Sequence, residues 1–110
     1  MNELDLRKAK KQIMTVTLPN DEKVLIRKPT KKIMDYLIGL SGQFEKLNEE
    51  DAGQETLDCI YDVCAEIMSN NRQGKTIQTE ELSELLDIED LIEFFQAYME
   101  FINDVQTIKN

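Results

Sequence analysis

The chain has 110 residues, 41% of them hydrophobic and 32% charged, with a formal charge of −9 and neither histidine nor tryptophan. That length suits one domain, and the apolar share supports a modest core and is too high for a chain disordered throughout. Without histidine the commonest general base near neutral pH is missing, and the two cysteines make no zinc site.

Charge is unevenly placed. Residues 1–32 hold nine bases, among them Arg7, Lys8, Lys10 and Lys11, against four acids, a surplus of five positive charges; the rest of the chain carries fourteen net negative charges. Such an acidic body repels nucleic acid and anionic lipid. No apolar run reaches the roughly 18 residues that a membrane helix needs, and the charged start lacks the apolar segment of a secretory signal. Cys59 and Cys64 fall about 140° apart on a helix at ~100° per residue, so they point apart and are expected as reduced thiols, as in a cytoplasm.

In chain order, residues 1–12 read as a flexible charged arm. Ile13 to Leu18 and Lys23 to Lys28 are short β-branched runs around the turn former Pro19-Asn20-Asp21-Glu22. They predict a β-hairpin over 13–28 with a four-residue connection. Thr30 caps a helix over 30–48 whose apolar stripe is Ile33, Leu37, Leu40, Phe44 and Leu47. Gly39 and Gly42 weaken it by roughly 1 kcal/mol each and mark a close packing or a bend. After a polar break, a helix over 54–70 carries Leu57, Ile60, Tyr61, Cys64, Ile67 and Met68, which puts Cys64 in the core and Cys59 on the other side. Ser69 to Gly74 is a cluster of turn formers. Thr79 can cap a short helix over 79–86, and Asp87 the last helix over 88–106.

That last helix carries two apolar stripes. Ile88, Leu91, Ile92, Phe95, Met99 and Ile102 form one; Phe94, Tyr98, Phe101 and Val105 form the other. Together they cover about half the helix circumference, more than one layer of core requires. Either the helix is central and packed on two sides, or the second stripe faces a partner or another copy. The expected fold class is therefore α+β, mostly α: an N-terminal β-hairpin followed by about four helices in a compact bundle, one domain over 13–110.

Catalytic chemistry finds little support. No glycine-rich phosphate loop is present, and the acidic stretch 48–55 lacks the ligand order of a calcium loop. Acid pairs such as Glu89-Asp90 read as solvated helix faces. Ser41, Ser69 and Ser83 have no base candidate but lysine. The basic residues do not interleave with aromatics as in a nucleic-acid surface. No catalytic, cofactor or metal residue is assigned, so the chain reads as a binding protein and not an enzyme.

A charged start (Leu4-Asp5-Leu6-Arg7-Lys8), a short hairpin ending in Lys28-Pro29-Thr30, acidic helices and the closing segment Leu91-Ile92-Glu93-Phe94-Phe95-Gln96-Ala97-Tyr98-Met99-Glu100-Phe101-Ile102 together give a resemblance over nearly the whole chain. It resembles the tail assembly chaperones of long-tailed phages and prophages of Gram-positive bacteria. The resemblance implies a protein of the bacterial host's cytoplasm that coats the tape measure protein, keeps it soluble, helps bring tail tube subunits to it, and is absent from the finished virion. Many such chaperones are also made in a longer form by a programmed ribosomal frameshift. Ile108-Lys109-Asn110 can be spelled ATA-AAA-AAC, which contains a slippery run, though other codons spell it too. On this reading the partners are the tape measure and tail tube proteins, with self-association left open, no membrane and no nucleic acid. Phe94, Tyr98, Phe101 and Val105 are the expected partner contacts. The competing reading is an acidic regulatory module that inhibits a basic protein.

Overall fold

The structure, a computed structural model, describes the backbone of residues 13–46 and 53–107 and the side chains of 13–40 and 53–103. The arm 1–12, most of the break at 48–53, the end 108–110 and the side chains of Phe44 and Val105 lie outside the described residues.

Strand β1 (Ile13–Thr17) pairs antiparallel with β2 (Lys23–Arg27), Thr15 standing opposite Leu25. The connection is tighter than the four residues expected. Leu18 N–H donates to Glu22 C=O at 2.8 Å, and Asp21 N–H donates to Leu18 C=O at 2.9 Å. The loop proper is thus Pro19, Asn20 and Asp21: a turn with proline at its preset first position, then Asp21 in the left-handed region at φ 69°. That is the three-residue hairpin, in which the left-handed residue restores the strand twist. Alternation puts Val24 and Ile26 on the inner face, both fully buried, beside half-buried Met14 and Val16.

Helix α1 (Lys31–Lys46) starts as expected, with Thr30 Oγ1 accepting the Ile33 N–H at 3.3 Å. It packs on α2 (Gln54–Ser69) through Ile33 and Leu40. Gly39 marks no close approach, since an added Cβ there would meet nothing within 4 Å. Helix α2 is the hub, touching α1, β2 and both later helices. Its buried set includes Ile60, Cys64, Ile67 and Met68 as expected, and extends to Val63, Ala65 and Thr56. Leu57 and Tyr61 are only half-buried. The Tyr61 hydroxyl donates to Leu86 C=O at 2.5 Å.

Ser69 to Gly74, legible only as a turn, does more than reverse the chain. Arg27 N–H donates to Asn70 C=O at 2.9 Å, and Arg72 N–H donates to Leu25 C=O at 2.8 Å. The Gln73 side chain accepts Leu25 N–H and donates to Lys23 C=O, both at 3.0 Å. The outer edge of β2 is therefore closed. Asn71, buried at the centre of this segment, donates to Met68 C=O and Lys75 C=O and accepts Lys75 N–H.

Helix α3 (Thr79–Leu85) is capped by Gln78 and not by Thr79, which is its first helical residue; no side chain caps it. The backbone at Gln78 is already extended, and Gln78 C=O accepts the Leu82 N–H at 3.2 Å, which leaves Thr79 one position inside. Helix α4 (Ile88–Thr107) begins with a reciprocal cap: Asp90 N–H donates to Asp87 Oδ1 at 2.9 Å and Asp87 N–H donates to Asp90 Oδ2 at 3.1 Å. This is a capping box with aspartate at both ends. A hairpin followed by four helices around one core of buried residues is α+β, mostly α, as the sequence predicts.

Candidate partner-binding groove

The two stripes of α4 do not divide into a core face and a partner face. Leu91, Phe94, Phe95, Tyr98 and Ile102 are all buried, and at roughly 100° per residue they span an arc of about 100° that takes members from both stripes. Tyr98, expected as a partner contact, has no exposed surface. Its ring lies between Phe94, stacked at 5.8 Å, and Phe101, tilted at 6.2 Å. Its hydroxyl finds no hydrogen-bond partner among the described residues, and burial pushes the phenol pKa up. Phe101 is half-buried, and the Val105 side chain lies outside the described residues. Among the described residues, the large apolar side chains of α4 that are exposed are Ile88 and Met99, at the outer edge of the first stripe. The reason is rotation: α4 lies with the seam between its stripes against the core, so neither stripe is free as a whole.

Phe94 is the expected contact that still borders an opening. A groove of about 370 Å³ runs between β1 and α4. Met14, Val16 and Leu18 form one wall, Met68, Leu86 and Phe94 the floor, and Asp90, Glu93 and Ala97 the rim on α4. Met14 and Val16 point to the inner face but stay half-exposed, because the groove leaves their side of the sheet uncovered.

Among the described residues, nothing pairs with the strand edge beside this groove. Leu25 N–H and C=O face the Asn70–Gln73 segment. By the alternation of an antiparallel ladder, Val24 and Ile26 therefore exchange bonds with Val16 and Met14, and the N–H and C=O of Ile13, Thr15 and Thr17 turn away from β2. Those outward groups make no hydrogen bond to another described residue. Thr15 and Thr17 themselves line the groove. Apolar floor, acidic rim and unpaired strand edge thus coincide at one place.

Elsewhere the polar candidates are used locally. Ser69 Oγ accepts the Ile77 N–H at 2.9 Å, and Ser83 Oγ donates to Glu80 C=O at 2.8 Å. Asp90 is held by its cap, and Glu89 is exposed. Cys64 is wholly buried, and desolvation pushes its thiol up to about 12; Cys59 is half-buried, and both are free thiols. A wider, more open depression of about 870 Å³ lies beside α2, with Glu55, Asp58, Asp62 and Glu66 along it. It has no strand edge. Among the described residues no three His, Cys, Asp or Glu side chains converge on a metal position, and no helix is long and apolar enough to cross a membrane.

The sequence pattern pointed to an apolar contact surface on the last helix without fixing its orientation. The β1 contribution was missed because a half-buried hairpin face reads the same whether a helix covers it or not. Compared with protein-family models, curated proteins and solved structures, the chain matches none of them.

Proposed function

We propose that this chain is a tail assembly chaperone that binds and solubilises a long helical tape measure protein and helps recruit tail tube subunits to it, acting by binding and not by catalysis. The observation that carries the reading is the groove between β1 and α4: an apolar floor of Met68, Leu86 and Phe94 under an acidic rim of Asp90 and Glu93. An amphipathic segment lays its apolar side into such a groove, and basic residues flanking that side meet the rim. The net charge of −9 over the whole chain keeps the complex soluble. Client contact then falls to Met14, Val16, Phe94 and Ala97, with Tyr98 and Phe101 supporting Phe94 from within.

The test is co-expression with the long helical protein encoded just downstream, measuring its soluble fraction and co-purification. Phe94 is a poor probe, because truncating it opens the core and costs about 3–5 kcal/mol. Ala97→Glu is a better one: Ala97 is exposed on α4, so the fold survives while the groove gains a third acid at its apolar edge. The expected result is a soluble client with the native chain and an insoluble one with Ala97→Glu. A client that stays insoluble with the folded native chain sinks the proposal.

The acidic row Glu55, Asp58, Asp62 and Glu66 on α2 favours the second reading, an acidic module that inhibits a basic protein. Such a complex forms one to one and dissolves in salt.

A further inference from the structure

We infer that in the absence of client the groove holds the basic N-terminal arm of a second copy of this chain, added as a strand along the free edge of β1. This rests on the groove being the client site, and makes the arm the client's competitor.

Among the described residues the sheet has one end at which it can grow. The β2 edge is closed by Asn70, Arg72 and Gln73. The β1 edge offers the outward N–H and C=O of Ile13, Thr15 and Thr17, and an exposed edge of this kind is a template for strand addition. The groove beside it selects what is added. In an extended strand alternate residues share a face, so Leu4, Leu6, Lys8 and Lys10 of the arm form one side. Two apolar residues and two bases on one side match in kind an apolar floor beside an acidic rim.

The donor is another copy because the arm's sequence disfavours a turn back onto its own strand. To lie beside β1 the arm must reverse between Arg7 and Ile13, and Lys8-Ala9-Lys10-Lys11-Gln12 contains no Gly, Pro, Asn or Asp. Gly, Pro, Asn and Asp are the residues most favoured in tight reversals. Each copy then gives an arm to one neighbour and takes one from another, a head-to-tail contact that forms rings or open chains. Client entry displaces the arm and dissolves the contact.

The experiment uses full-length chains without client and reads mass against concentration by light scattering, with circular dichroism to confirm the fold. The native chain is expected to associate as concentration rises. Lys8→Glu/Lys10→Glu places an acidic arm against an acidic rim, and Glu93→Lys places a basic rim against a basic arm. Each variant alone is expected to associate roughly tenfold more weakly, and a mixture of the two to recover association, since each arm then finds an opposite rim. Thr15→Pro removes only an outward N–H, which an edge strand tolerates, and is expected to abolish association while leaving helicity unchanged. A native chain that stays monomeric, a mixture that does not recover, or association that survives Thr15→Pro overturns the inference. The arm variants retain an intact groove, so client solubilisation by them separates failure of this inference from failure of the chaperone reading.

Discussion

Cys64 shows what full burial does to a single group. Its thiol has no exposed surface, and desolvation alone raises its pKa from 9.0 to about 12. Below pH 9 both folded and unfolded chains keep the proton, and the contribution to stability is whole. Above pH 9 the unfolded chain releases the proton while the folded chain holds it until about pH 12, so stability falls with rising pH across that window, by up to about 1.4 kcal/mol per unit. Tyr61 and Tyr98 are raised as well, chiefly by burial, and act in the same sense. Urea midpoints of the native chain and Cys64→Ala between pH 8 and 11 isolate the thiol: the native chain is expected to lose stability more steeply above pH 9. Equal slopes would mean a hydrated thiol. The burial of Cys64 was legible in the sequence because it sits on a stripe with Ile60, Ile67 and Met68. The role of Asn71 was not. Its position after a helix predicts a turn, but its pairing opposite Ile26 joins residues 45 apart in the chain, and no local pattern carries that.

At the scale of elements, periodicity located every described helix and both strands, and the differences lie at ends and in rotation. Asp87 was identifiable as a cap because it directly precedes the apolar run of the last helix, with Asp90 in the first turn at the positive end of the dipole; that the two acids bond reciprocally was not. Thr79 was misassigned because Gln78 occupies the cap position with backbone geometry alone, which a sequence does not signal. The rotation of α4 escaped for a related reason: two adjacent apolar stripes define an arc, and only packing against the rest of the core, α2 included, decides which part of it is covered. Gly39 tests how far α1 depends on its own propensity. It is exposed within the helix, and an added Cβ meets nothing. Gly39→Ala is therefore expected to stabilise the fold by about 1 kcal/mol, read as a higher urea midpoint with an unchanged slope. A loss of stability would show that α1 needs the glycine for a contact or a bend.

Across the whole molecule the dominant feature is unbalanced charge. Acids four apart on α2, Asp58 with Asp62 and Asp62 with Glu66, repel by about 0.2–0.5 kcal/mol per pair. Among the described residues two ion pairs set attraction against this: Lys31 with Asp35, whose side chains are 90% and 60% exposed and which contributes almost nothing, and the less exposed Lys75 with Glu22. Screening therefore removes more repulsion than attraction. Raising salt from a few millimolar to ~0.15 M, where the Debye length is about 8 Å, is expected to stabilise the free protein by about 1 kcal/mol, a rise in Tm of roughly 4–8 °C for a chain of this size. A Tm that falls with salt would mean that attractions between the basic head and the acidic body outweigh the repulsion within that body. The same titration separates the two functional readings once a partner is present. A client held mainly by Met14, Val16 and Phe94 stays bound as salt rises, because apolar burial is not screened, whereas a basic protein held by the acids of α2 is released over the range in which the free chain gains stability.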